Sequence, residues 1–359
     1  MKILIFNLFD IKNPRSGGSE VFTHEIAKKW VHDGNEVTML VSNFTGGSEN
    51  EKIDGINIIR LGNMYSAYLL VKKYYNKNLL GEYDIIIDEY TYRPFMAPKF
   101  VKEPVIALIH ELAREKYFVE IKPILSHLLY YYFEPKWMDV YKNVPTVTVS
   151  NSTKQDLLKF NFNNINIVPE GINFKPLKSI PEKEKNPTLI FVGMLKKVNL
   201  VDHVIESFKL FQTKFPKSAL WIIGRGNDLE RLRKISDGLN VKFYGFVSDQ
   251  KKLELMSRAH VIVVPAIREG WGLIVTEANA CGTPAIGYDV PGLKDSIRDG
   301  ETGILTNNNP KDFSDSLINY FEDEELRERL TNNALKWSKT FSWSKTANEF
   351  MKVIKNVLK

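Results

Sequence analysis

The chain has 359 residues, 43% hydrophobic and 26% charged, with a formal net charge of +6. Its length fits about two domains and its composition fits an ordinary globular protein, with no run of about 20 apolar residues to span a bilayer. The modest positive charge favours anionic partners such as sugar nucleotides or lipid phosphates, though a basic proteome background explains it equally well; without a recognition motif, nucleic acid is not expected.

The opening stretch, MKILIFNLFD, lacks a small-residue cleavage site and reads as a buried strand, Lys2–Leu8, rather than a signal peptide. The loop NPRSGGSE then leads into a helix expected from about Glu20 to Asp33. Val37–Val41, Ile85–Asp88, Val105–His110 and Thr146–Ser150 are further strands, apolar on both faces as in a sheet covered by helices. The alternation predicts parallel βαβ units in a first domain, residues 1–168. The stretch PEGINFKPLKSIPEKEKNP, residues 169–187, carries four prolines among clustered charges and reads as a linker. Strands at Thr188–Val192, Ala219–Gly224, Val261–Pro265 and Pro284–Tyr288 build a second domain, residues 188–340. An amphipathic helix, residues 341–359, is long enough to cross back to the first. The expected class is α/β, two Rossmann-like domains facing across a cleft, with ligands beyond the carboxyl ends of the strands. The single cysteine, Cys281, excludes an intramolecular disulfide and fits the cytoplasm.

The stretch REGWGLIVTEANACG places Glu269 and Glu277 eight positions apart, across a glycine turn that enters a helix, Leu273–Ala280. A strand, a glycine loop and a helix present free backbone N–H groups to an anion. Gly272, Leu273 and Ile274 can therefore hold a phosphate, while each carboxylate suits ligand hydroxyls. Two such acids can also be solvated surface groups around a plain turn. The preceding apolar strand and the clean helix end at Cys281-Gly282-Thr283-Pro284 favour the ligand loop.

These residues carry a resemblance. EGWGLIVTEANACGTPAIG resembles the E-G-F-G-L…E-A-x-A-x-G-x-P-V-I signature of glycosyltransferase family 4, retaining enzymes of GT-B fold. The likeness runs over nearly the whole chain: Gly17-Gly18-Ser19-Glu20 matches the glycine-pair loop, and VIALIHEL, VSNSTKQDL, NIVPEGIN and FYGFVSDQKKLELMSRAHVIVVPA match further segments. It implies that Glu269 holds donor-sugar hydroxyls, Glu277 the ribose, and the backbone of Gly272, Leu273 and Ile274 the diphosphate. It also implies that the backbone near Val247 meets the base, Gly17 and Gly18 approach the donor phosphates or the acceptor, and His110 sits beside the sugar and departing phosphate. From the residues alone, His110 reads as a satisfied strand-end histidine, and Gly17-Gly18 as either a turn or a site.

The chain departs from the family at one place. The family carries an arginine and a lysine after the first strand of the second domain, where this sequence has Met194 and Asn199. One lost charge-assisted contact in a site costs about 2–4 kcal/mol. Either Lys196, Lys197 or Arg225 supplies the charge from a shifted position, or the protein binds donor without efficient transfer; Lys196 and Lys197 also read as a solvated pair.

No D-x-D motif is present, and the acidic run Glu322–Glu325 reads as a helix start, so no metal or other cofactor is expected. The expected chemistry is retaining hexosyl transfer from a nucleotide sugar by front-face displacement, onto a glycan or lipid-linked acceptor; a nucleotide-sugar epimerase and a donor-binding pseudoenzyme are the alternatives. Lys116–Lys142 interleaves aromatic and basic residues. It suits an ordinary helix on the sheet, or an interfacial patch giving peripheral contact at the inner membrane face.

Overall fold

The structure is a computed structural model that describes residues 1–359. It divides into two compact units. Met1–Tyr117, Lys122–Gly171 and Phe341–Lys359 form the first; Phe118–Ile121 and Ile172–Thr340 form the second.

The first unit holds β1 (Lys2–Phe6), β2 (Glu36–Val41), β3 (Asn50–Ile53), β4 (Ile56–Arg60), β5 (Ile85–Tyr90), β6 (Val105–Ile109), β7 (Thr146–Thr148) and β8 (Ile165–Ile167). They form one sheet in the order β3-β4-β2-β1-β5-β6-β7-β8. Only the β3–β4 pair is antiparallel. Its two-residue turn is Asp54-Gly55, with φ of 47° and 86°, as a type I′ hairpin requires. This hairpin was not expected, because its outer strand, NEKI, is polar and half-exposed at the sheet edge.

Several strand ends also differ from expectation. β6 stops at Ile109, so His110 begins the loop beyond it. β5 runs on to Tyr90 and carries Asp88 and Glu89 fully into the sheet. β7 ends at Thr148, because Ser150 caps the next helix by accepting from the Thr153 N–H. The first helix begins at Gly18 rather than Glu20 and ends at His32.

The last helix, Trp343–Val357, buries Trp343, Ala347, Phe350 and Ile354 along one stripe. It packs on helix Gly18–His32: Trp30 Nε1 donates to the Ala347 carbonyl at 3.0 Å, and the Trp30 and Phe350 rings meet edge to face at 5.3 Å. Thr346 Oγ1 ties it to the Pro169 carbonyl at 2.8 Å.

The second unit holds β9 (Thr188–Val192), β10 (Ala219–Ile223), β11 (Val241–Gly245), β12 (Val261–Val264), β13 (Ala285–Tyr288) and β14 (Gly303–Thr306). They form a parallel sheet in the order β11-β10-β9-β12-β13-β14. Residues 172–187 form no regular element, yet they are bound to this unit. The half-buried Lys183 ammonium donates to the carbonyls of Ser257 and Gly282 and to Thr283 Oγ1, at 2.8–3.0 Å. The prolines remove regular structure here without freeing the segment. Asp323 caps helix Glu324–Ser338, which accounts for the acidic run as a helix start. No helix is long and apolar enough to cross a membrane.

Candidate active site

In the second unit three loops at the carboxyl edge of the sheet are hydrogen-bonded to one another. The loop after β10 accepts the Leu195 N–H at the Arg225 carbonyl, 3.0 Å, and the loop after β12 gives the Ile267 N–H to Val198, 3.2 Å. Glycine makes the first contact feasible: a Cβ on Gly224 would lie 1.8 Å from the Gly193 oxygen, and one on Gly226 2.1 Å from the Leu195 oxygen. Sequence at three separate places thus converges on one edge, where ligands of open parallel sheets bind.

Glu269 lies on the loop after β12. Its N–H donates to the Pro291 carbonyl at 3.0 Å. Gly292, at φ +85°, allows that approach, since a Cβ there would fall 2.0 Å from the Glu269 oxygen. Gly272, at φ 93°, caps helix Leu273–Ala280. The first-turn N–H groups of Gly272, Leu273 and Ile274 have no carbonyl one turn back, and the helix dipole adds partial positive charge there. Glu277, one turn in, is buried. Its Oε2 accepts from Lys252 Nζ at 2.8 Å. Burial pulls the Lys252 ammonium down, but the Glu277 charge and hydrogen bond, joined by Asp249, together hold the lysine above its ordinary value. Sequence reasoning missed Lys252; its only signal was a basic residue in the first turn of helix Asp249–Arg258, whose pairing across 25 positions no periodicity reveals.

Met194 is 41% exposed, and Asn199 Nδ2 donates to its carbonyl at 2.7 Å. The two positions that lack the family cations are therefore joined in one turn. Lys196 is half-buried and Lys197 exposed on the same turn. Arg225 is exposed, its guanidinium 5.1 Å from the centre of the Phe246 ring. Val247 packs its side chain on the core of the unit.

In the first unit, Gly17 caps helix Gly18–His32 and Gly18 is exposed at its first position. The Glu20 carboxylate reaches back to the Gly17 N–H at 2.7 Å, a capping box that fixes the glycine loop. His110 is 6% exposed, with Nε2 3.3 Å from Glu89 Oε1 and the Phe22 ring edge-on at 4.9 Å. Glu89 is anchored in turn by the Thr23 hydroxyl at 2.7 Å. Burial pulls the imidazole down, yet Glu89, with Glu170 and Glu20 behind it, raises it above the ordinary histidine value. Burial and the Glu89 charge push Glu20 up to about 7. Sequence alone placed His110 without its acid partner, which sits inside an apolar strand run.

Along Lys116–Lys142 the helix is not packed flat on the sheet with only its edge exposed. A π-helical turn, Leu129–Phe133, follows helix Pro123–Leu128, and apolar residues of both face solvent. Ile124 is 82% and Tyr131 68% exposed. With Pro123, His127, Leu128 and Tyr132 these line an open, almost wholly apolar groove.

Comparison with known proteins follows the same division. Residues 16–175 match the family described as Glycosyltransferase Family 4, and residues 174–337 that described as Glycosyl transferases group 1. An uncharacterised glycosyltransferase of Methanocaldococcus jannaschii is 26% identical over the whole chain and 99% of its own length. A phosphatidyl-myo-inositol mannosyltransferase of Mycobacterium leprae is 29% identical over 53% of each chain. Among solved structures, sucrose-phosphate synthase of Thermosynechococcus elongatus superposes with a TM-score of 0.81 at 18% identity, covering 99% of this chain and 98% of that one. Anabaena HepE, solved with UDP-glucose, gives 0.76 at 14% identity, covering 99% of this chain and 100% of its own. Both share the GT-B fold of two Rossmann-like domains.

Proposed function

We propose, from the premise that this chain belongs to glycosyltransferase family 4, that it moves a hexose from a nucleotide sugar to a glycan or lipid-linked acceptor with retention and without a metal ion. The observation that carries this reading is the second unit's carboxyl edge, where an anion-binding helix start lies between two carboxylates. Gly272, Leu273 and Ile274 hold the diphosphate. Glu269 takes sugar hydroxyls, and Glu277, oriented by Lys252, takes the ribose. The backbone at Val247 faces the base. A neighbour of the same fold solved with UDP-glucose supports the donor class.

In the reaction the bond from the anomeric carbon to the leaving phosphate oxygen breaks as the acceptor oxygen bonds the same face. The acceptor proton passes to the departing phosphate. Charge on that phosphate is met by the helix start and by Lys196, Lys197 and Arg225 in place of the family pair. Arg225 is favoured because its loop is hydrogen-bonded to the turn that carries Met194. In the first unit, Gly18 offers an exposed helix-start N–H, and Glu89 raises the His110 imidazole above its ordinary value.

The test is calorimetry with a panel of nucleotide sugars, without metal, on wild type and Glu277→Ala. Micromolar binding of one donor, lost in the variant, supports the reading. Binding without turnover supports the pseudoenzyme, the reading that the Met194 and Asn199 positions favour. The exposed groove at Ile124 and Tyr131 supports peripheral contact at the inner face of the membrane and a lipid-linked acceptor.

A further inference from the structure

Arg60 has no part in the roles above, yet its guanidinium is buried and engaged on every side at the carboxyl end of β4. Nε and Nη2 meet the two Asp10 oxygens at 2.7 and 3.1 Å, a bidentate fork, with both side chains shut off from water. Nη1 donates to the Ser48 carbonyl at 2.8 Å and to Glu51 Oε2 at 2.9 Å, and the Phe44 ring lies 5.1 Å from the guanidinium carbon. One side chain thus joins the loop after β1, the loop after β2 and the outer strand of the hairpin. Lys12 pairs with Glu51 on the exposed side, so each carboxylate of the cluster has a cation.

From Asp10 the hydrogen bonds run in one direction, along the chain to the glycine pair. Asp10 accepts the Lys12 N–H at 2.9 Å on its side chain and the Asn13 N–H at 3.0 Å on its carbonyl. Asn13 accepts the Arg15 N–H at 3.0 Å and the Ser16 N–H at 2.9 Å in the same two ways. The next N–H, that of Gly17, goes to Glu20 at 2.7 Å, and Gly18 opens the helix. Two successive Asx turns therefore carry the orientation of Asp10 to Gly18. An apolar pair of similar volume would hold the loops together about as firmly, since desolvation offsets much of a buried ion pair's attraction. It would not fix the direction of Asp10, which the planar fork does.

We propose that Arg60 is a positioning residue for the transfer step: it touches no ligand, and through Asp10 it sets the loop that presents the Gly18 N–H. This rests on the role proposed above for Gly18 and adds the group that holds it in place.

The experiment uses the full chain with UDP-glucose, ADP-glucose and GDP-mannose, reading binding by titration calorimetry and turnover by release of nucleoside diphosphate. Asp10→Leu with Arg60→Met replaces the pair by apolar volume, Arg60→Lys keeps the charge without the fork, and Lys12→Met removes only the exposed partner of Glu51. The double variant should melt with wild type and bind the donor as tightly, while kcat falls about tenfold or more. Arg60→Lys should show the same loss, with amide exchange in residues 10–18 quickened in both. Lys12→Met should leave kcat and exchange unchanged. Unchanged kcat in either Arg60 variant overturns the positioning role while the donor reading stands. So does donor affinity that falls in step with kcat, or a loss of kcat with exchange in the loop unchanged. Should the double variant not fold, Asp10→Asn, which keeps an acceptor for the Lys12 N–H, reads the same quantities. Wild type that binds a donor without turnover leaves no transfer to position and overturns the proposal with the transfer reading; wild type that binds none removes the donor reading too.

Discussion

His110 Nε2 lies 3.3 Å from Glu89 Oε1, with both side chains buried in the first unit. Two strands produce this pair. β5 carries Glu89 into the sheet, and β6 ends one residue short of His110, so adjacent parallel strands deliver both groups to the same edge. Burial alone would lower the imidazole, since it opposes the charge; Glu89, with Glu170 and Glu20, reverses that and raises it.

Glu89→Gln keeps the shape and the Thr23 hydrogen bond but removes the charge. His110 should then titrate at lower pH. The native imidazole value is raised, so the pair stabilises fully below the unfolded histidine value and its contribution fades as pH rises through the folded one. The wild-type advantage over Glu89→Gln in urea unfolding should therefore shrink above about pH 6.5. The alkaline limb of the transfer rate should move toward acid in the variant. An unmoved limb with lowered stability would leave Glu89 a structural group only.

Glu20 makes a separate pH prediction. Its folded value, about 7, lies above the usual 4.5, because burial and Glu89 disfavour its charge. The native state then binds more protons than the unfolded one between those values, so stability falls as pH rises from 4.5 to 7. Glu20→Gln can still accept from the Gly17 N–H. It should flatten this slope and be more stable than wild type at pH 8, by about 1–3 kcal/mol. Chemical denaturation at pH 5 and 8 measures the difference.

Much of this was legible in the residues because the signals were local. Apolar runs separated by helical stretches marked the parallel strands, and Glu269, Gly272 and Glu277 occupy one continuous strand–loop–helix segment. The unread parts are tertiary. Lys252 reaches Glu277 from another helix, and Glu89 meets His110 across a strand pair. Short edge strands such as β8 and β14 carry three and four residues, too few for a period to show. The outward aromatics near Tyr131 lie on a π turn, which no helical repeat anticipates.

Lys252→Met should leave Glu277 buried without its cation. Donor affinity should fall about tenfold through misorientation of the carboxylate, and stability should fall by about 1–3 kcal/mol. Glu277→Ala exposes the opposite imbalance and should lose donor binding more completely. The double variant should be more stable than the sum of the singles predicts, a coupling that a double-mutant cycle reads directly.

Gly292→Ala tests whether the loop around Glu269 is held by close backbone approach. The new Cβ would meet the Glu269 oxygen at 2.0 Å and must adopt φ +85°. Strain of this kind costs about 1–3 kcal/mol. Activity should fall with the displaced Glu269 even where the protein remains folded. Thermal melting and turnover together separate the two effects, and unchanged values of both would show the loop to be free.

The groove at Ile124 and Tyr131 predicts lipid binding. Large apolar side chains at 82% and 68% exposure lose solvation free energy in water, and burying one returns about 1.5–3 kcal/mol. Exposed Lys122 and Lys136 flank the groove, and each lysine near an anionic surface adds about 1 kcal/mol. Phosphatidylglycerol vesicles should therefore bind the protein better than phosphatidylcholine ones, with the difference fading at high salt. Ile124→Glu and Tyr131→Glu should each weaken vesicle binding about tenfold or more, since they put charge where apolar area must enter the interface. Donor affinity should stay unchanged, because neither residue belongs to the second-unit loops that hold the nucleotide. Sedimentation with vesicles decides it: equal pelleting of wild type and both variants would assign the groove to something other than a membrane.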